Sequence, residues 1–385
     1  MSIEAPAAFS IADRTAAFVE DVIRPMAPAM AHGQGMRPDA LVCAAGRRGL
    51  AGLLLPVEYG GAGGDHVDFV GFVEAVARVC ASSAVILDVH LSVGSEPLRR
   101  FGSAAQLRRH LPAIAAGTCT AAFALTEPAS GSDAAALTTR AERDGTGYRL
   151  TGTKAFITNS GAAGVYTVLA RTAPGAHGIS AFIVDAGSRG LSFGAPLRKM
   201  GLAGSWTGEL VLDGVPVSAD NRLGAEGDGF GVAMAALDSG RVGISAQAVG
   251  VAQGCLDDIT AAARMVAATD ETLLADIHAR TVAARLLTLH AARLADAGEP
   301  ITRDASIAKL YSSDTCVAAA IAAVELCAPD SAFNDHPAAI RMRDAKASQI
   351  YEGTNQVQRM VIARALLFEQ ARPAAASPAS SSPRA

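Results

Sequence analysis

The chain has 385 residues, half of them apolar and 18% charged, with aromatics at only 5%. That length exceeds one small core and predicts two or three packed, helix-rich units built from Ala, Val, Leu and Ile. Lys and Arg total 33 against 37 Asp and Glu, a formal charge of −4 without long runs of either sign, which argues against nucleic acid as a partner.

Other features narrow the class. Cys43, Cys80, Cys119, Cys255, Cys316 and Cys327 are scattered, with no CxxC pair and no zinc-like histidine spacing, so they read as reduced core residues. The N-terminus carries Glu4, Asp13 and Arg14 among alanines and lacks a basic head followed by an apolar run. Gly, Asp or Arg break the most apolar stretches before they reach membrane-spanning length. A cytoplasmic protein with no membrane partner is expected.

From residue 16 to about 122 the apolar spacing is helical: Phe18-Val19 and Val22-Ile23 share a face, and Pro25 and Pro28 are expected to stop that segment. The glycines of 56–64 predict a structural turn, because they follow no clear strand and do not match GxGxxG. Helical spacing resumes at 69–81, and two more helical segments, parted near Gly102-Ser103, run to 116.

The period then shortens. β-type runs occupy 137–142, 148–153, 165–170, 179–184 and 210–212, with Asp144-Gly145-Thr146-Gly147 suited to a hairpin. Short strands without intervening helices predict an antiparallel sheet or barrel rather than βαβ units. Long helical patterns return at 232–268, 273–297, 302–327 and after Gly353, which predicts a bundle. The fold class is therefore α+β, mostly α. Its expected parts are an N-terminal helical domain (1–122), a middle antiparallel β-domain (123–229), a C-terminal helical bundle (230–372) and a disordered Ala/Ser/Pro tail (373–385).

Three stretches could carry chemistry. In Ile350-Tyr351-Glu352-Gly353-Thr354-Asn355-Gln356 a carboxylate precedes a glycine, so Glu352 could face a reacting carbon while a nearby main-chain N–H faces an oxygen. A helix end with a solvated charge would use the same letters. Residues 122–134 gather hydroxyls, Gly131 and main-chain N–H groups, enough to cradle a heterocycle or a phosphate, or simply to form a loop. In 152–161, strand alternation puts Phe156 and Thr158 on one side, where they could stack on and hydrogen-bond a flat ring.

These stretches agree in order and approximate spacing with one family, together with Lys199-Met200-Gly201, Gly204-Ser205, Leu237-Asp238-Ser239-Gly240-Arg241 and Arg343-Asp344-Ala345. Over residues 18–367 the chain resembles the acyl-CoA dehydrogenases, most of all the short-chain, butyryl-type members. The resemblance implies a C-terminal four-helix bundle, with FAD and thioester held between the three domains. It implies that Thr126 bonds the pyrimidine side of the flavin, Ser132 the pyrophosphate region and substrate, and Thr158 flavin N5, with Phe156 beside the ring. Thr354 and Gln356 match FAD contacts, and Asp238 and Arg241 match the helix lining the thioester pocket.

Glu352, with Gly353, matches the catalytic base of the short- and medium-chain members, whereas isovaleryl-type members carry their base at the position of Gly240. No second carboxylate is seen to compete. The implied reaction is FAD-dependent α,β-dehydrogenation of a short or branched acyl-CoA or acyl-ACP to the trans-2-enoyl thioester, with reoxidation by an electron-transferring flavoprotein. The expected assembly is a homotetramer or homodimer, or a hetero-oligomer with a related subunit.

Two family motifs that reach a neighbouring subunit's FAD are replaced. Arg-x-x-Phe-Gly gives way to a shorter stretch over 263–273, and Gln-x-x-Gly-Gly-x-Gly to Glu325-Leu326-Cys327-Ala328-Pro329-Asp330-Ser331. A non-catalytic or regulatory acyl-thioester-binding subunit is therefore the alternative.

Overall fold

Ser10 opens the first helix with a capping box, its Oγ accepting from the Asp13 N–H while the Asp13 carboxylate accepts from the Ser10 N–H. In the computed structural model, which describes residues 10–264, 270–327 and 331–370, the chain stays helical through α1 (Ile11–Phe18), a π-helical turn (Val19–Ile23) and α2 (Arg24–Ala31). The expectation that Pro25 and Pro28 stop this segment is thereby corrected. Pro25 occupies the first turn of α2, where its missing N–H is not needed, and the wider turn ahead of it closes with the Arg24 N–H on the Val19 carbonyl.

After α3 (Pro38–Gly46), the Gly-rich stretch forms a single short turn at Val57–Tyr59, ended by Gly60 at φ 84°. Then come α4 (His66–Val79), α5 (Ala81–Val89), a second π turn (His90–Gly94), α6 (Glu96–Phe101) and α7 (Ala104–Ala115). Every residue of α5 is buried.

The middle of the chain is an eight-stranded sheet. Its strands are β1 (Ala121–Ala124), β2 (Arg140–Asp144), β3 (Gly147–Thr158), β4 (Val165–Arg171), β5 (Ile179–Asp185), β6 (Leu191–Phe193), β7 (Thr207–Ser218) and β8 (Arg222–Leu223). The order is β6-β7-β3-β2-β4-β5-β8, with β1 also on β4. The expected hairpin joins β2 to β3, with Asp144 opposite Gly147 and Gly145 supplying the positive φ. The sheet is antiparallel except that β1 runs parallel to β4 and β2 touches β4 in parallel at one pair. Strands β1, β6 and β8 are too short, at four, three and two residues, to show a period in sequence.

The 35-residue α8 (Gly229–Ala263) follows, then α9 (Glu271–Asp296), α10 (Thr302–Leu326), α11 (Pro337–Ala347) and α12 (Asn355–Gln370). By length and composition α10 is apolar enough to cross a membrane, although Asp314 interrupts it. Here it packs on α8, α9, α11 and α12 as a core helix of the bundle. Phe69 and Val73 of α4, Ile86 of α5, Val242 of α8 and Ala319 of α10 belong to one core, so the two helical regions are joined through α8. The tail expected at 373–385 lies outside the described residues.

Candidate active site

Between α11 and α12 the backbone leaves the helix and takes φ 54° at Glu352 and 88° at Gly353. A non-glycine residue in the left-handed region costs about 1–2 kcal/mol, so something must hold it there. Lys309 of α10 donates from Nζ to the Gly353 carbonyl at 2.8 Å and to Asn355 Oδ1 at 2.9 Å. Gln358 Nε2 donates to the carbonyls of Glu352 and Gly353 at 3.1 and 2.9 Å. Asn355 is anchored in turn, its Nδ2 donating to Ser313 Oγ and Asp314 Oδ1. Thr354 Oγ1 accepts from the Val357 N–H, capping α12, while Gln356 is exposed on its first turn.

This clamp turns the Glu352 side chain onto α8. A Cβ at Gly240 would lie 2.7 Å from Glu352 Oε2 and 2.7 Å from Val93 Cγ1, so only glycine leaves room for the carboxylate. Oε2 is buried and has no hydrogen-bond partner. Burial pushes the Glu352 carboxyl up to about 7, against the opposing pull of Arg241 and Lys309. Arg241 is itself buried and pairs through Nη1 with Asp238 Oδ1 at 2.7 Å, and Asp238 Oδ2 accepts from Thr302 Oγ1. Burial likewise pushes the Lys309 ammonium down to about 7. Two positive groups thus stand near a carboxylate that no donor occupies.

A second carboxyl, Asp88 of α5, lies near Glu352. It is fully buried, and Glu352 is among the groups that raise its pKa, behind burial. Asp88 lies against Gly243 rather than Gly240, one turn farther along α8.

On the sheet side, the Ala155 N–H donates to the Thr126 carbonyl at 2.9 Å, which joins the segment after β1 to β3. A register shift in β3 sets three steps, Lys154 to Ile157, against two on β7, Leu210 to Gly208. Within this bulge Phe156 has φ 57° and is 65% exposed, while Ile157 is buried and Thr158 half-buried. A bulky ring held in a strained backbone and open to solvent gains nothing from the protein interior, so the arrangement suits a flat partner. That observation fits FAD. Ser132 is exposed on the loop between β1 and β2, within the same segment as Thr126.

The sheet is tied to α5, since Asn159 Nδ2, just past β3, donates to the Ile86 carbonyl at 3.2 Å. Sequence reasoning missed Lys309, Asn355, Gln358 and Asp88. A lysine among the small residues of α10 and an aspartate inside the apolar run 84–89 are the signals that could have found two of them. Of the two replaced motifs, 265–269 and 328–330 lie outside the described residues.

A clamped, buried carboxyl and an exposed aromatic ring in a strained bulge of β3 suit a flavin-dependent oxidoreductase of acyl thioesters. Models of the acyl-CoA dehydrogenase N-terminal, middle and C-terminal domains match residues 7–118, 122–215 and 227–367, so the chain belongs to the acyl-CoA dehydrogenase family. It is 45% identical to an acyl-CoA dehydrogenase of Bacillus subtilis over 341 residues, 86% of this chain and 90% of that one. The solved butyryl-CoA dehydrogenase of Megasphaera elsdenii superposes with a TM-score of 0.88 at 36% identity, covering 95% of this chain and all of that one. A glutaryl-CoA dehydrogenase of Mycobacterium smegmatis, solved in complex with FADH2, gives 0.86 at 28% identity, covering 93% and 94%. FAD is the cofactor of the chain, and the relatives it resembles include short-chain-specific acyl-CoA dehydrogenases.

Proposed function

We propose that this chain dehydrogenates a short or branched acyl thioester to the trans-2-enoyl thioester, with Glu352 as the base that removes the α-proton. The single observation that carries this reading is the Glu352 carboxylate, whose Oε2 is buried, unpartnered and set over Gly240. An α-hydrogen of a thioester is weakly acidic, and a base is most effective when its pKa lies near the working pH, as about 7 does.

The main-chain N–H of Glu352 would bond the thioester oxygen and stabilise the charge that develops there. Lys309 and Gln358 hold the left-handed turn and so keep the carboxylate in place. Asp238 and Arg241, paired with each other on α8, would line the thioester pocket. Thr126, Ser132, Phe156, Thr158, Thr354 and Gln356 would hold FAD, which when bound supplies the acceptor for the β-hydride. The thioester carrier is CoA or an acyl carrier protein, and the external electron acceptor an electron-transferring flavoprotein.

A second reading, a non-catalytic acyl-thioester-binding subunit of a hetero-oligomer, draws on the replaced motifs at 263–273 and 325–331. One experiment separates the two. The chain is purified alone, its visible spectrum recorded and its flavin counted after denaturation. Near-stoichiometric FAD that bleaches with butyryl-CoA supports a self-sufficient dehydrogenase. Little flavin after incubation with excess FAD overturns it in favour of the subunit reading.

A further inference from the structure

Lys154 of β3 and Glu127 of the segment after β1 form an ion pair inside the sheet domain, Nζ to Oε1 at 2.8 Å, with side chains 0% and 4% exposed. Burial pushes the Lys154 ammonium down to about 8, against the opposing pull of the carboxylate. Burial pushes the Glu127 carboxyl up, but Lys154 with Thr138 and Thr139 brings it down to about 2, so both partners are charged at neutral pH. Taking two charges out of water is expensive, and a well-packed apolar pair is often as stable. Stability of the fold alone does not call for this pair.

What the pair holds is a short piece of backbone. Lys154 Nζ also donates to the Leu125 carbonyl at 3.0 Å, and the next residue, Ala155, donates its N–H to the Thr126 carbonyl. Glu127 carries the tie onward: Oε1 accepts from the Thr139 N–H at 2.9 Å, and Oε2 from the Thr138 N–H and Oγ1 at 2.6 and 2.8 Å. Residues 125, 126 and 127 are thus each bonded to Lys154 or Ala155, and the far end of the loop is drawn in at Thr138 and Thr139. Leu125 and Glu127 are buried, whereas Thr126 between them is partly open. Among the described residues, the Thr126 N–H and Oγ1 donate to no acceptor. Lys154 also stands at the start of the β3 bulge in which Phe156 takes φ 57°.

We propose that Lys154 is a positioning residue of the flavin site: paired with Glu127, it fixes the 125–127 backbone before FAD arrives, so that the unused donors of Thr126 are in place for the cofactor. This rests on the reading above, which puts Thr126 and Phe156 at FAD. A backbone already ordered loses little freedom when a ligand binds, which raises affinity without adding a contact. An ion pair suits the task, because its charge-assisted bonds are short and strong and hold one arrangement of the groups they join.

The test sets FAD affinity against stability in the full-length chain freed of flavin. Lys154→Met leaves a buried carboxylate without its cation, so the thermal midpoint and the affinity for FAD should both fall. Lys154→Met combined with Glu127→Gln removes both charges. Its midpoint should recover toward that of the parent, while its Kd for FAD, read from the quenching of flavin fluorescence, should stay at least about tenfold higher. An affinity that recovers together with the midpoint, or that never changes, overturns the proposal. Hydrogen exchange on the unaltered chain needs no variant: the Thr138, Thr139 and Ala155 amides should already be protected without FAD, and protection that arises only on adding FAD overturns it as well. Thr126→Ala separates this inference from the reading beneath it. If that change weakens FAD binding and the paired variant does not, only this inference falls. If neither weakens it, the placing of FAD at Thr126 falls too.

Discussion

Gly240 and Glu352 compete for one volume: a Cβ on the glycine would stand 2.7 Å from the carboxylate Oε2. The glutamate reaches that volume from a left-handed turn on another helix connection, so the side chain and the space it needs come from residues far apart in sequence.

Gly240→Ala tests the shared volume. The added methyl must push the carboxylate aside, and a displacement of about 1 Å at a reacting centre costs on the order of a hundredfold in rate. Activity with butyryl-CoA should fall by that order while the thermal midpoint changes little. A variant with full kcat/KM would show that Glu352 can work from elsewhere.

Glu352→Gln removes the base without changing its shape. The rate of flavin bleaching should drop by roughly 10²–10⁴-fold. Stability should respond to pH as well. Folding raises the Glu352 pKa from 4.5 to about 7, so the native state holds its proton more tightly than the unfolded chain does. That contribution is fully present below about pH 4.5 and is lost as pH rises through about 7. The glutamine variant should therefore gain in melting temperature relative to the parent between about pH 5 and about pH 8, a difference that scanning calorimetry reads directly.

Lys309 holds the Glu352 pKa down through its charge and holds the Gly353 carbonyl through its Nζ. In Lys309→Met the first effect disappears while Gln358 still binds the same carbonyl. The acidic limb of kcat/KM, expected near pH 7 in the parent, should move to higher pH. An unmoved limb accompanied by lower activity would assign Lys309 to the turn alone.

Phe156→Gly should act with opposite signs on two properties. Glycine relieves the strain of φ 57°, and the lost ring is 65% exposed, so the flavin-free protein should become more stable by about 1 kcal/mol. FAD retention on dialysis should fall, because the ring no longer faces the flavin. Equal flavin content in parent and variant would remove Phe156 from the cofactor site.

Much of the candidate site could be read before the structure because its parts are local. Glu352, Gly353 and Thr354 are contiguous, and Asp144 to Gly147 carry their own turn chemistry. The misses have equally specific causes. Pro25 follows a π turn that changes which N–H the helix needs, a feature without a compositional mark. Strands β6 and β8 are too short for alternation to register. Lys309 meets the Gly353 carbonyl across 44 positions, and nothing in either local pattern announces the pairing.

The sequence by itself determined the order of helices, sheet and bundle, the family, and which residues are proposed as the base and the flavin contacts. Those properties rest on periodicity, turn chemistry and ordered motifs, which act over a few residues or keep their spacing. Only the tertiary structure decided that Glu352 lies over Gly240, that Lys309 and Gln358 hold its turn, and that Asp88 lies one turn farther along α8, against Gly243. Burial and charge depend on what other elements bring to the same place, and those neighbours exist only once α5, α8, α10 and the turn before α12 have packed together.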